Sequence, residues 1–376
     1  MTDLPTDNLM MFTQVREEGV MDLFLEKRPM PVPQDHEVLI RIEAAPINPS
    51  DLALMVGPAD PASFRQGERG GLPMVSADVS PAGMRAVAAR VGQALPIGNE
   101  GCGVVVAAGS APAAQALLGK TVAAVGGEMY AEYRCVAAQN CLPLPDGTDP
   151  RDGASCFVNP LTSLAFVETM RREGHKAIVH TAAASNLGQM LVRICAADGV
   201  PLVNIVRSAE QVALLKGLGA QYVVDSSSET YLADLTAAIA ATGATIAFDA
   251  IGGGKQAGQI LACMENVAAQ SMPAYSRYGS DTFKQVYIYG ALDHGPTSFM
   301  RNFGFSFSIS GFLLFPFMMK TPQEVLNAMR QRVIDELTTT FKSHYSHEVS
   351  LADVLTVDVL SACNAKRTGE KYLIRN

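Results

Sequence analysis

The sequence has no run of basic residues, no CxxC motif and no uninterrupted apolar stretch of membrane-spanning length, and each absence removes a class of function. Without a Lys/Arg cluster the electrostatic footprint of a nucleic-acid binder is missing. The overall balance is acidic, 29 basic against 37 acidic residues for a net charge of −8. Mean hydropathy is high at +0.15, yet no window of about 18 apolar residues is present to cross a bilayer. The most apolar window, Phe303 to Met319, is broken by Gly304, Gly311 and Pro316 and carries three serines, so it reads as buried strand and interface. The first residues are polar and show no charged-then-apolar signal pattern. The seven cysteines, at 102, 135, 141, 156, 195, 263 and 363, are odd in number and scattered. Reduced thiols in a cytoplasmic protein follow. There is no internal repeat and no low-complexity tract.

What is present is a long, apolar chain. At 376 residues, with 48% hydrophobic and 18% charged residues, it is globular and too long for one ordinary core, so two domains are expected. The first 150 residues are β-rich. Glu37 to Ala44 alternates, and Gly103 to Ala108 and Thr121 to Val125 are short apolar runs flanked by glycine. Such strands between turns suggest a partly open barrel or sandwich. Pro58 to Pro96 shows no such strands. Within it, Ser80-Pro81 reads as an N-cap followed by a short helix closed by Gly92.

After Asn159-Pro160 strands and helices alternate. Strands are expected at Ala177–His180, Val203–Val206, Tyr222–Asp225, Ile246–Asp249 and Val286–Tyr289. Helices are expected at Leu187–Asp198, Ala209–Leu218, Tyr231–Ala241 and Gln256–Asn266. Short apolar runs separated by helices are buried parallel strands, the pattern of a doubly wound α/β sheet. A helical stretch, Gln323 to Lys342, precedes a tail whose strand, Lys371 to Arg375, is expected to return to the first domain. The expected division is 1–155 with 343–376 for the β-rich domain, and 156–342 for the α/β domain.

The first strand of that sheet runs into Thr181-Ala-Ala-Ala-Ser-Asn-Leu-Gly188 and a helix. A dinucleotide turn needs small residues so that backbone N–H groups and the helix N-terminus reach the pyrophosphate. Ala183, Ala184, Ser185, Asn186, Leu187 and Gly188 meet that need, although the GxGxxG motif is reduced to Gly188; an Ala-rich turn without a ligand is the plainer alternative. At the end of the second strand, where NAD sites place an acidic residue, stand Arg207 and Ser208. A guanidinium suits the 2′-phosphate of NADPH, and Ser226 after the third strand adds a hydroxyl. The competing reading leaves Arg207 as a solvated charge and gives the ribose to Glu210.

These stretches, in this order with Ala45-Pro-Ile-Asn-Pro-Ser-Asp51, Gly98-Asn-Glu-Gly101, Tyr130-Ala-Glu-Tyr133, Val158-Asn-Pro-Leu-Thr162 and Thr368-Gly-Glu-Lys-Tyr-Leu-Ile374, resemble the medium-chain dehydrogenase/reductase superfamily, within it the quinone oxidoreductase and enoyl thioester reductase branches. The resemblance implies a GroES-like catalytic domain and a Rossmann domain with the nicotinamide in the cleft between them. It also implies a homodimer made through the last Rossmann strands, around Phe305 to Phe312. Zinc-dependent relatives bind metal through Cys and His at positions that fall here on Asn48 and Asn99. A carboxamide is a poor zinc ligand and the four-cysteine lobe is absent, so no metal is expected. With no Lewis acid, the acceptor must be intrinsically electrophilic, a small quinone or enone. The two tyrosines of related reductases fall on Ala53 and Ala59, which weakens proton delivery to carbon and favours a quinone, protonated on oxygen by water. Catalytic residues are therefore not assigned.

Asn48, Thr162, Ala291, Ser310 and Gly311 are the candidates for the nicotinamide and substrate pocket, with Gly290 on the coenzyme side; Asn48 and Thr162 could equally be structural. Tyr130 and Tyr133 read as strand packing, His180 as a satisfied core histidine and Cys102 as a buried thiol. The longer segment 58–97 reads as a lid or wall of the substrate side, with Phe64 and Arg65 as candidate contacts. A second insertion, Ala268 to Phe283, reads as surface or subunit contact. The function expected is NADPH-dependent reduction of a quinone or activated conjugated carbonyl. Alternatives are a 2-enoyl thioester reductase and a non-catalytic NADPH-binding protein of the same fold.

Overall fold

The computed structural model describes residues 4–376. The chain divides into two compact units, residues 1–158 with 333–376, and residues 159–332.

The first unit holds two sheets. One is formed by β1 (Asp7–Val15), β2 (Val20–Pro29), β4 (Arg65–Arg69), β5 (Leu72–Asp78) and β6 (Ala94–Pro96), numbered in chain order and arranged β4-β5-β2-β1-β6. The other contains β3 (Glu37–Pro46), β7 (Glu100–Ala108), β8 (Thr121–Val125), β9 (Tyr133–Ala137), β10 (Cys141–Pro143), β17 (His347–Val349) and β18 (Tyr372–Arg375). Its order is β10-β8-β7-β3-β18-β17, with β9 also paired to β3. Met11, Met21 and Leu23 from the first sheet and Val38, Ile40, Val105, Val122 and Ile374 from the second enter one apolar core. Each such side chain, fully buried, contributes about 1.5–3 kcal/mol. Short helices close the turns: α1 (Pro49–Met55), α2 (Pro81–Ala86), α3 (Pro112–Gln115), α4 (Pro150–Gly153), α12 (Leu351–Val354) and α13 (Val357–Ala365). As expected, the C-terminal strand returns to this unit, with Ile374 opposite Ala45 on β3.

Two expectations for this unit need correction. Segment 58–97 is not strand-free: β4 and β5 form a hairpin, β5 pairs with β2, and β6 pairs with β1. It is woven into a sheet. Phe64 packs against the core and Arg65 pairs with Asp78 at 2.8 Å. Helix α2 does start at Ser80, whose hydroxyl accepts from Gly83 N, but it ends at Ala86, before Gly92.

The second unit is a parallel sheet with helices: α5 (Val158–Arg172), β11 (Ile178–His180), α6 (Asn186–Asp198), β12 (Leu202–Val206), α7 (Ala209–Gly217), β13 (Tyr222–Asp225), α8 (Tyr231–Thr242), β14 (Ile246–Asp249), α9 (Gln256–Gln270), β15 (Lys284–Ile288), β16 (Phe307–Gly311), α10 (Leu314–Met319) and α11 (Gln323–Asp335). Strand order is β13-β12-β11-β14-β15-β16, every neighbouring pair parallel. Order reverses between β11 and β14, the switch point at which open α/β sheets bind ligands. The short runs were legible because strands covered on both faces carry no polar alternation.

Here too the structure departs from expectation. Helix α9 runs on to Gln270, and the last helix stops at Asp335 instead of reaching Lys342. The Phe303–Met319 window is only partly buried: Leu313, Phe315 and Met319 are 68, 60 and 87% exposed. The 268–283 insertion begins as the end of α9 and then lies at the surface, with Tyr275 and Tyr278 exposed. Its last turn is pinned inside by Lys284, fully buried, which donates to Glu265 at 2.5 Å and to Ser280 and the Thr282 carbonyl.

Candidate nucleotide and acceptor site

In the second unit the turn Thr181–Ser185 links β11 to α6. Ser185 caps the helix, its Oγ accepting from Gly188 N at 3.1 Å. Gly188 is required sterically: a Cβ there would stand 2.2 Å from the Ala183 carbonyl oxygen and 2.6 Å from its carbon. It therefore lets α6 close onto the strand, the third-glycine role in a dinucleotide turn. The first-glycine position is taken by Ala182, held at φ +49°, a left-handed backbone that costs a non-glycine residue about 1–2 kcal/mol. Ser163 on α5 ties the arrangement down by donating to the Leu187 carbonyl at 3.2 Å.

Arg207 follows β12 and is exposed. Its backbone N–H donates to Gln211 Oε1, and its guanidinium has no ion-pair or hydrogen-bond partner among the described residues. Ser208 caps α7, and Ser226 N donates to the Val206 carbonyl at 2.7 Å, so Arg207, Ser208 and Ser226 share the carboxyl ends of β12 and β13. The expected nucleotide residues are thus gathered along one end of the sheet.

The same end carries Gly290 and Ala291 after β15 and Ser310 and Gly311 at the end of β16, where Ser310 lies opposite Tyr287 and Gly311 opposite Ile288. Ser310 Oγ accepts from Gln285 Nε2 at 3.3 Å. Sequence reasoning missed what fixes this edge. Asp249, fully buried, accepts from Thr181 Oγ1 at 2.7 Å, from Ile251 N at 3.0 Å and from Gly252 N at 3.2 Å. It clamps the turn after β14 to the turn after β11. Gly252, at φ +78°, and Gly290 then let two backbones touch: a Cβ on either would lie 2.6 Å from a carbonyl oxygen of the other turn. Thr162 sits in the first turns of α5, 7% exposed.

His180, fully buried, is only half satisfied. Nε2 lies 2.8 Å from Tyr289 Oη, while Nδ1 is buried without a partner. Burial brings its pKa down to about 3, so the ring is neutral.

In the first unit, Asn48 caps α1 and forms a capping box with Asp51. Asp51 accepts from the backbone N–H of Asn48 at 2.9 Å and of Asn99 at 2.8 Å, so one carboxylate joins the two positions that carry metal ligands in zinc-dependent relatives. Burial pushes its pKa up to about 7, against the lowering by those N–H groups. The Asn48 amide donates to Glu100 Oε1 at 2.9 Å, and Asn99 donates to Ser50 Oγ. Both carboxamides are committed to protein partners, and the described residues contain no group of three or more His, Cys, Asp or Glu arranged to hold a metal. Tyr130 packs in the core and donates to the Pro46 carbonyl. Cys102 is buried and its thiol pushed well above its usual range by burial.

Residues 34–146 match the alcohol dehydrogenase GroES-like domain family. Across its whole length the chain superposes on the whole of a Mesorhizobium loti protein assigned as an NADPH:quinone reductase, with TM-score 0.74 and 26% identity. In these matches the chain is similar to proteins of the medium-chain dehydrogenase/reductase superfamily. It is 27% identical to prostaglandin reductase-3 of Bos taurus over 54% of this chain and 46% of that one. Identity is 32% with a quinone oxidoreductase of Pseudomonas aeruginosa, over 35% of this chain and 42% of that one. It is 30% with mitochondrial enoyl-[acyl-carrier-protein] reductase of Bos taurus, over 50% and 44%. The chain therefore spans about half the length of the curated relatives it matches. The chain has a β-rich unit that contains the GroES-like match and a second unit with a Rossmann-type parallel sheet.

Proposed function

We propose that this chain is a zinc-independent reductase that binds NADPH on its parallel-sheet unit and reduces a quinone or another activated conjugated carbonyl. The observation that carries the reading is the pairing of a Gly188-closed turn with an unpartnered Arg207 guanidinium at the end of the next strand. A strand–turn–helix of this kind presents N–H groups to a pyrophosphate, and a free guanidinium suits the additional phosphate that separates NADPH from NADH. The relatives named for quinone and enoyl reduction support the chemistry. Bound NADPH supplies the hydride from nicotinamide C4. The second unit supplies orientation: the Asp249-clamped turns with Gly290 and Ala291 form a fixed edge at the switch point, and Thr162, Ser310 and Gly311 are its proposed pocket residues; on the first unit the candidate is Asn48. Asn48 and Asn99 hold protein partners in place of zinc, which leaves carbonyl polarisation to hydrogen bonds.

Reduction of an enoyl thioester is the second reading, favoured by the enoyl reductase relatives; Ala53 and Ala59, where related reductases carry tyrosine, weigh against it. The unpaired edge of β16, flanked by exposed Phe305, Leu313 and Phe315, supports a homodimer. Seven free cysteines support a reducing, cytoplasmic setting, and no helix among the described residues is long and apolar enough to cross a membrane.

The deciding experiment is titration of the protein with NADPH and NADH, followed by NADPH oxidation with benzoquinones, enones and a crotonyl thioester, with zinc measured in the same preparation. Arg207→Ala should weaken NADPH by about 1.5–3 kcal/mol and leave NADH unchanged. Equal affinity of the native protein for both coenzymes, or one zinc per chain, overturns the reading.

A further inference from the structure

At the carboxyl end of the parallel sheet lies a polar pair that the proposed chemistry has not used. His180 ends β11 and Tyr289 directly follows β15, with β14 between the two strands. Their side chains meet across β14: His180 Nε2 lies 2.8 Å from Tyr289 Oη, and the rings stack with centroids 5.8 Å apart. Helix α5 covers the pair with Phe166. That ring stacks at 4.0 Å on Phe248, the residue opposite His180 on β14, and meets Tyr289 edge to face at 4.8 Å. Thr162, a proposed pocket residue, stands one turn before Phe166 on α5, and Gly290 is the next residue after Tyr289. The pair therefore adjoins the edge assigned above to the nicotinamide.

The direction of the His180–Tyr289 hydrogen bond follows from what else the imidazole touches. A neutral imidazole has one N–H and one acceptor nitrogen. His180 is fully buried, neutral above about pH 3, and its Nδ1 has no partner. A buried N–H without a partner is rarer than a buried acceptor without one, so the proton sits on Nε2 and the imidazole donates. Tyr289 Oη is then the acceptor of this bond, and its own O–H is left to donate elsewhere. Among the described residues His180 is the one hydrogen-bond partner of that oxygen, and nothing accepts from it. Tyr289 is half-buried while His180 is sealed in the core, so the open side of the pair is the tyrosine. Burial, reinforced by the Asp249 carboxylate, pushes the tyrosine pKa up. The O–H keeps its proton.

We propose that Tyr289 is the hydrogen-bond donor of the reductase site, giving its O–H to a carbonyl oxygen, and that His180 is the positioning residue that holds the hydroxyl in that role. The donor role rests on the reductase reading above; the direction of the His180–Tyr289 bond does not. In that reading two carbonyl groups come to this end of the sheet, that of the acceptor and that of the nicotinamide carboxamide. Hydride adds to the conjugated system of the acceptor, the displaced π electrons settle on its carbonyl oxygen, and water supplies the proton. A fixed hydrogen-bond donor stabilises such developing charge. Tyr289 thus offers polarisation without a metal, in a chain that has Ala53 and Ala59 where related reductases carry tyrosine.

Two readouts on the full chain test this. The first needs no coenzyme: the nitrogen-15 resonances of the His180 imidazole, assigned by their loss in His180→Gln, should show a proton on Nε2 and none on Nδ1 at neutral pH. A proton on Nδ1 makes Tyr289 the donor to His180 and overturns the proposal, whether or not the protein is a reductase. The second is kinetic. Tyr289→Phe removes the hydroxyl alone; should it misfold, Tyr289→Phe with His180→Leu also removes the N–H that the single change leaves unpaired. If the carbonyl is the acceptor's, either variant should lose about 100- to 1000-fold in kcat with an enone. The loss should be smaller with a benzoquinone, which needs less polarisation, and the Kd of NADPH should not move. His180→Leu alone should show the same split between enone and benzoquinone, more weakly. If the carbonyl is the carboxamide's, the Kd of NADPH should rise about 3- to 10-fold with no such split, and 2′-phospho-ADP-ribose, which lacks nicotinamide, should bind as before. Unchanged kcat and Kd, or a loss that extends to 2′-phospho-ADP-ribose, overturns the proposal. A native chain that neither binds NADPH nor reduces any of these acceptors overturns the reductase reading and the donor role with it, and leaves the direction of the His180–Tyr289 bond standing.

Discussion

At the scale of the residue, the informative positions are polar groups inside cores. His180 shows why they matter for stability. The cost of an orphaned buried N–H exceeds that of an orphaned lone pair, so the proton of the neutral ring belongs on Nε2, against Tyr289 Oη. The folded chain keeps this ring unprotonated down to about pH 3, whereas the unfolded chain takes up a proton near pH 6.5. Between those values the unfolded state binds the extra proton, so stability falls as the pH drops. His180→Gln should flatten the dependence by about 2–3 kcal/mol between pH 6.5 and 4, read from urea unfolding at the two pH values. An unchanged slope rejects the assignment. The sequence could place His180 at the end of a buried strand but could not show its half-satisfied state. Glu100 and Lys371 were hidden for the same reason: polar residues 271 positions apart (371 less 100) meet through Ser155, and no local periodicity marks such a meeting.

Single elements were legible where the chain repeats a simple period. Tyr222–Asp225 and Ile246–Asp249 were delimited to the residue by their apolar runs. The β4–β5 hairpin was missed because β4, Arg-Gln-Gly-Glu-Arg, has no apolar face; the signal available was Gly70-Gly71, both at positive φ, the two-residue loop that hairpins favour. The β11–α6 turn offers paired tests. Gly188→Ala must push the helix from the Ala183 carbonyl, costing about 1–3 kcal/mol of stability and weakening NADPH binding at the same time. Ala182→Gly relieves a left-handed backbone and should be between neutral and about 1 kcal/mol stabilising, with coenzyme affinity retained. Thermal melting with and without NADPH measures both. Loss of NADPH affinity in Ala182→Gly alone would mean that the alanine methyl, and not the turn geometry, holds the coenzyme.

At the scale of the whole molecule, the open question is what covers the β16 edge. An edge strand presents unpaired N–H and C=O groups to any other strand, and proteins that leave one bare usually protect it with charge, proline or a bulge. Here Phe307–Gly311 carries none of these, and the side chains on either end are apolar: Phe305 at 67% exposure, Leu313 at 68% and Phe315 at 60%. Pairing of this edge with a second copy, as proposed above, would satisfy both the backbone and the apolar flanks. The native chain should therefore migrate at about twice its 39.9 kDa mass. Leu313→Asp with Phe315→Asp places like charges where two copies would meet, and should yield a monomer by light scattering with its far-UV spectrum intact. Residues Glu265, Ser280 and Lys284 lock the neighbouring insertion from within, so these surface changes leave that anchor untouched. A native chain that is monomeric at micromolar concentration, or a double variant that stays dimeric, would move the interface away from β16.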